Sequence, residues 1–200
     1  MAEIHRHPRW SRIIHWLHTI SMLVLIFSGF YITYANRTFL FPNMRSARLG
    51  HFVAAYIITA TFIARIYYNI AEKTYKNYLV TKADVREFPR LTKYYLFLTD
   101  ELPTYAIFNP GQKVMYLVWQ PLLLVQAISG WLLYDSIRFQ PIWLTSGILS
   151  LNTLRIFHYL VALLFTITTA VHLYLVLTED IEKLKYMIWD RDWNKPKDKQ

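Results

Sequence analysis

The stretch FHYLVALLFTITTAVHLYLVL, residues 157–177, decides what kind of protein this is. It is apolar almost throughout, yet His158 and His172 interrupt it. About 20 such residues cross the hydrocarbon core of a bilayer as a helix. A polar side chain facing hydrocarbon is costly, so each imidazole is expected to face the interior of a bundle and to have a partner. Fourteen residues advance about 21 Å at about 1.5 Å per residue, and the rotation falls about 40° short of four full turns. The two rings therefore point the same way at two depths, one near each face of the membrane. A proton relay would hold its members closer together. Two stacked planar cofactors would want this spacing.

Three more stretches have the length and apolarity to span, so the expected spans are residues 13–34, 50–68, 114–134 and 156–177. The chain has 200 residues, 54% of them hydrophobic, and a mean hydropathy of +0.20, high for a soluble protein. A net charge of +9 would suit nucleic acid or a membrane surface, and hydropathy decides for the membrane. Aromatic residues make up 17%, as interfacial belts or a large flat ligand would require. With no cysteine, disulfides, thiolate zinc sites and protein-bound iron–sulfur clusters are excluded. The first span lacks a small-residue cleavage site and is expected to be retained.

Charge orients the spans. Of 22 Lys and Arg residues, five (Arg37, Arg45, Arg48, Arg138, Arg155) fall on one side, leaving 17 with the two termini and the connection between the second and third spans. The positive-inside rule then places both termini in the cytoplasm. The expected fold is all-α and integral to the membrane: a four-transmembrane-helix bundle over residues 1–189, followed by a charged cytoplasmic tail, residues 190–200. In the inner connection LTKYYLFL, residues 91–98, reads as an interfacial segment with its aromatics toward lipid. IRFQPIWLTSGILSL, residues 137–151, is too short and broken to span. His5 and His7 flank a proline in a basic tail and read as solvated.

An iron porphyrin that shuttles electrons without binding oxygen needs two axial ligands, so each buried histidine needs a partner at its own depth. His51 lies three residues after Arg48 and His158 three after Arg155, both from the outer face. At the inner face the first span offers His15 and His18 opposite His172, and distance from the charged ends slightly favours His18. The fourteen-residue step recurs from His51 to Arg65 and from His15 to Gly29. Arg65 would face the inner cofactor and neutralise a propionate, or it snorkels to the headgroups. Gly29, with Gly130 at a similar depth on the third span, would make room for the outer macrocycle, although glycine is common in membrane helices anyway. The readings from other classes are a histidine-lined transporter or metal permease, and a passive anchor whose imidazoles make interhelical hydrogen bonds.

Several motifs, in order, resemble the b-type cytochrome subunit of membrane-bound nickel–iron hydrogenases. They are R-I-I-H-W at residues 12–16, A-R-L-G-H-F at 47–52, A-R-I-Y-Y at 64–68, Y-Y-L-F-L at 94–98, the paired histidines of the fourth span, and L-T-E-D-I at 177–181. That family belongs with the gamma subunits of respiratory formate dehydrogenases in a di-haem, four-helix superfamily. The resemblance implies two haems b, with His15 and His172 ligating the inner iron and His51 and His158 the outer one. His18 then becomes a neighbour of the inner haem. One position departs: relatives often carry a histidine where this chain has Arg155.

N-P-G-Q-K, residues 109–113, reads locally as a helix start, with Asn109 as the cap and proline in the first turn. It also resembles the N-x-G-Q-K of formate dehydrogenase gamma subunits, where that region lines the quinone pocket. This makes Asn109, Gly111 and Gln112 candidate quinone contacts. The resemblance implies an electron-transfer subunit with no catalytic residue of its own. It would link membrane quinone (menaquinone or ubiquinone) near the cytoplasmic face to an iron–sulfur small subunit, and through it to a catalytic large subunit. The donor complex is expected to be a hydrogenase, with formate dehydrogenase, or a sulfur-compound reductase working in the opposite direction, as the close alternative. Its place would be the cytoplasmic (inner) membrane of a bacterium or archaeon, as a multi-pass protein, with no nucleic-acid partner.

Overall fold

A computed structural model describes residues 9–35, 40–101, 105, 108–135, 150–179 and 181–189. The amino-terminal residues His5, Arg6 and His7, most of the 137–151 connection and the 190–200 tail lie outside the described residues. All regular structure among the described residues is helical. The helices are α1 (Arg9–Thr33), α2 (Met44–Ala71), α3 (Lys82–Tyr95), α4 (Pro110–Tyr134), α5 (Leu151–Thr178) and α6 (Ile181–Trp189), with a 3₁₀ turn at Thr74–Tyr78. Four of them, α1, α2, α4 and α5, are long and apolar enough to cross a membrane.

These four overlap the expected spans, and all four begin four to six residues before the apolar runs do. For α2, α4 and α5 the reason is capping. The first backbone N–H groups of a helix have no intrahelical acceptor, and a short polar side chain just ahead supplies one. Asn43 does this for α2, its Oδ1 accepting from Ser46 N at 2.9 Å. Ser150 does it for α5, its Oγ accepting from Thr153 N at 3.0 Å. Asn109 and Gln112 form a reciprocal box at the start of α4. Hydropathy marks where lipid contact begins, whereas the cap marks where the helix begins. His51 accordingly lies about two turns inside α2, not at its mouth.

The helices form two compact units, residues 3–62 with 162–200 and residues 63–161. In the first, the buried positions of α2 are Ala47, Ala54, Ile58 and Thr61, one helical face with small residues among them. Small residues of this kind let membrane helices approach closely. Ser21 and Ser28 are buried on α1. Tyr31 meets Phe41 edge to face at 5.7 Å. Helix α6 had no counterpart among the expected elements. Trp16 of α1 donates its indole N–H to Met187 O of α6 at 3.1 Å, and Tyr186 is buried.

In the second unit α3 starts at a capping box of Thr81 and Asp84 and packs against α4. The segment read as LTKYYLFL is not a separate element: its first half is the last turn of α3. Phe97 then turns the chain at φ 58°. Leu96, Phe97 and Leu98 are exposed, with Phe97 at 89%, which suits an apolar tip set against lipid. Tyr78 of the 3₁₀ turn stacks on Phe108 at 5.1 Å and meets Tyr116 of α4 edge-on at 5.2 Å.

Candidate functional site

His51 and His158, each half-buried, are held in the same way. In the first unit Ser28 of α1 places its Oγ 2.9 Å from His51 Nδ1. In the second unit Ser129 of α4 places its Oγ 2.8 Å from His158 Nδ1. The next residue in each case is glycine. A Cβ added to Gly29 would lie 3.6 Å from His51 Cε1, and one added to Gly130 would lie 3.2 Å from His158 Cε1. The open face of each glycine is thus turned to a histidine ring.

His158 has a third neighbour. Gln126 Nε2 donates to His158 O at 3.1 Å and lies 3.2 Å from His158 Nε2. The bond to a carbonyl fixes which end of the amide is the donor, because an oxygen there would repel. Gln126 Oε1 is buried and makes no hydrogen bond among the described residues.

His18 of α1 has its Nδ1 3.2 Å from Thr61 Oγ1 of α2, and that hydroxyl donates to Ile58 O at 3.0 Å. His18 therefore shares the hydroxyl contact seen at His51 and His158. His15, three residues earlier, meets Trp16 edge to face at 5.5 Å, and its carbonyl accepts from Thr19 Oγ1 at 2.9 Å. His172 is half-buried in α5.

Among the described residues, no three His, Asp or Glu side chains gather as a bare metal ion would need. The donors available are imidazoles. They fit axial ligation of a metal that brings its own equatorial ligands, and the glycines beside two of them give the rings space to orient.

Arg65 is half-buried near the end of α2, and its charge acts on Tyr78. Burial raises the Tyr78 phenol above its ordinary range, and the Arg65 guanidinium opposes that rise. At the start of α4, Asn109 Oδ1 accepts from Gln112 N at 2.8 Å and Gln112 Oε1 accepts from Asn109 N at 3.1 Å. The box uses both side-chain oxygens and leaves both amide NH2 groups as donors. Gly111 closes the turn: a Cβ there would lie 3.3 Å from Asn109 Oδ1 and 3.4 Å from Leu91 Cδ2. Next in sequence, Lys113 Nζ reaches both Asp84 oxygens at 2.9 Å. The Thr81 hydroxyl, then Lys113, hold the Asp84 carboxyl down to about 2.

Sequence reasoning missed Ser28, Ser129, Gln126, Thr61 and Asp84. The first four are polar residues within apolar spans, which is itself a signal.

A family model described as "Prokaryotic cytochrome b561" matches residues 6–190. The chain is similar to a "Probable Ni/Fe-hydrogenase B-type cytochrome subunit" of Cupriavidus necator, with 25% identity over 85% of this chain and 77% of the relative. A protein of the same name from Azotobacter vinelandii is 25% identical over 88% of this chain and 81% of its own length. A "Putative protein-methionine-sulfoxide reductase subunit YedZ1" of Azospira oryzae is 26% identical over 66% of this chain and 71% of its own.

Proposed function

The chain belongs to the prokaryotic cytochrome b561 family, and from that premise we propose that it carries electrons across a membrane through two haems b. They would run between an outer iron–sulfur subunit of a respiratory oxidoreductase, foremost a hydrogenase, and quinone near the cytoplasmic face. The family and the four long apolar helices make it a multi-pass membrane protein of the b-type electron-transfer class. The hydrogenase assignment is supported by the names of relatives that cover most of this chain.

The observation that carries the reading is the shared setting of His51 and His158, each with a serine hydroxyl at Nδ1 and a glycine at the ring edge. Metal-ligating histidines are regularly held in this way through the nitrogen that does not ligate. Bound haem supplies the one-electron chemistry of its iron, and the helices supply axial ligands and a low dielectric. Following the resemblance, we assign His51 and His158 to one iron and His15 and His172 to the other. His18 and Arg65 lie around the second, Arg65 toward a propionate. The basic amino end and tail, with the charged connection carrying α3, assign both termini to the cytoplasm.

At the start of α4 the NH2 groups of Asn109 and Gln112 are oriented by the cap and are free to donate to a quinone carbonyl, menaquinone or ubiquinone. Gly111 keeps the turn tight beside them. Capping and quinone recognition use opposite ends of the same amides, so one role does not exclude the other.

The test is a reduced-minus-oxidised spectrum with pyridine haemochrome quantification on protein purified in mild detergent. Two haems b per chain and a copurifying iron–sulfur subunit are expected. One haem or none in intact protein overturns the reading. A water-accessible histidine path without a Soret band would return the chain to the transporter class. The match to the YedZ1 protein favours a second partner, a methionine-sulfoxide reductase, which would take electrons from this chain and reverse the flow. The identity of the copurifying catalytic subunit separates the two.

A further inference from the structure

We propose that Ser28 and Ser129 are positioning residues for His51 and His158, dictating which imidazole nitrogen carries the proton and lowering the redox potential of the haem those histidines hold. This rests on the ligand assignment made above and adds to it two residues and a function for each.

One proton on each serine decides the roles. A serine hydroxyl has a single hydrogen to donate. That of Ser28 is directed to Val24 O at 2.5 Å, the carbonyl one turn back on its own helix. That of Ser129 is directed to Gln126 O at 3.0 Å. With that hydrogen on the carbonyl, each Oγ accepts from the histidine. His51 Nδ1 and His158 Nδ1 must both carry the hydrogen, which leaves both Nε2 atoms with a lone pair. At His158 the Gln126 NH2 lies 3.2 Å from Nε2, over the lone pair an iron would take, and would have to keep only its bond to His158 O when iron binds there. The arrangement at His158 thus repeats the one at His51.

A serine in a membrane helix commonly satisfies itself on its own backbone, with no further role. That accounts for the bonds to Val24 and Gln126. It does not account for a histidine nitrogen at 2.8–2.9 Å in both cases. Nor does it explain why both hydroxyls are buried, Ser28 fully, with a glycine next in sequence turned to the same ring.

The electronic consequence has a definite sign. An Nδ1–H that donates to an oxygen makes the imidazole a stronger electron donor through Nε2. A stronger axial donor favours ferric over ferrous iron, so the potential falls. Removing the acceptor should raise it.

The experiment uses the full complex with Ser28→Ala, Ser129→Ala and Ser129→Thr, each titrated optically through its haem bands alongside pyridine haemochrome counting. Each alanine variant is expected to move one of the two midpoint potentials upward, the same one in both. The other potential should stay at its wild-type value, and Ser129→Thr, which keeps the acceptor, should match wild type. If an alanine variant instead drops from two haems to one and Ser129→Thr retains two, the positioning role also stands. Unmoved potentials, equal movement of both, a threonine variant that behaves as alanine, or loss of both haems would overturn it. Wild-type protein that titrates as a single haem overturns the two-haem reading itself, and this inference falls with it.

Discussion

Lys113, in the first turn of α4, holds both carboxylate oxygens of Asp84, in the first turn of α3, at 2.9 Å. Asp84 also closes the α3 capping box, its Oδ2 accepting from Thr81 N and Oγ1 at 2.7 Å each. One carboxylate therefore caps one helix and ties it to the start of another. Its pKa lies at about 2, below the ordinary 3.8, so the charged form is the stabilising one. The contribution is present above the ordinary value and is lost as pH falls from there toward 2. Asp84→Asn should cost about 1 kcal/mol of local stability at neutral pH, in line with a charged hydrogen bond that is partly open to water. Hydrogen exchange of the α3 amides should then become faster at neutral pH, with the difference from wild type shrinking toward pH 2. Equal exchange in both proteins at neutral pH would remove the pair from any structural role.

Histidine substitutions should divide by pairs. His51→Ala and His158→Ala should each take haem content from two to one with the same spectral component missing. His15→Ala and His172→Ala should remove the other component. Low-temperature difference spectra with haemochrome counting decide this, and crossed losses would redraw the pairing.

His18→Ala should keep both haems. The imidazole is bonded to Thr61, so its loss leaves the Thr61 hydroxyl with its bond to Ile58 O and costs roughly 1 kcal/mol. A shifted potential for the component shared by His15 and His172 is expected. If His18→Ala removes that haem and His15→Ala keeps it, His18 is the ligand.

Asn109→Ser should separate capping from quinone binding. Serine caps about as well as asparagine but has no NH2 group. Both haems should remain. Apparent quinone affinity should weaken several-fold, since a hydrogen bond to a neutral carbonyl is worth about 0.5–1.5 kcal/mol. Steady-state quinone reduction kinetics measure it, and unchanged kinetics would confine N-P-G-Q-K to its cap.

The two glycines should differ under substitution. An alanine Cβ at position 130 would crowd His158 Cε1 at 3.2 Å, where Ser129 and Gln126 already pin the ring. At position 29 the distance to His51 is an ordinary 3.6 Å. Gly29→Ala should retain full haem and gain up to about 1 kcal/mol of helix propensity. Gly130→Ala should lose haem occupancy or shift the potential of the His51–His158 component. Equal occupancy and potentials in both variants would mean that the His158 ring can yield.

Sequence by itself determined the membrane class, the four apolar helices, the spacing of the histidines and the cap at Asn109, because each depends on residues near in the chain. Helix periodicity is local, and so is a cap that reaches three residues ahead. Hydropathy misplaced all four helix starts because it measures lipid contact and not backbone pairing, and α6 was too short to register at all. Tertiary structure decided what touches each ring. Ser28 meets His51 from 23 positions away, Ser129 meets His158 from 29, and Lys113 meets Asp84 from 29. Such pairings depend on how far each helix is rotated about its axis, a few tens of degrees that no local pattern specifies. An imidazole also has two nearly equivalent nitrogens, and which one holds the proton is settled only by the group packed beside it.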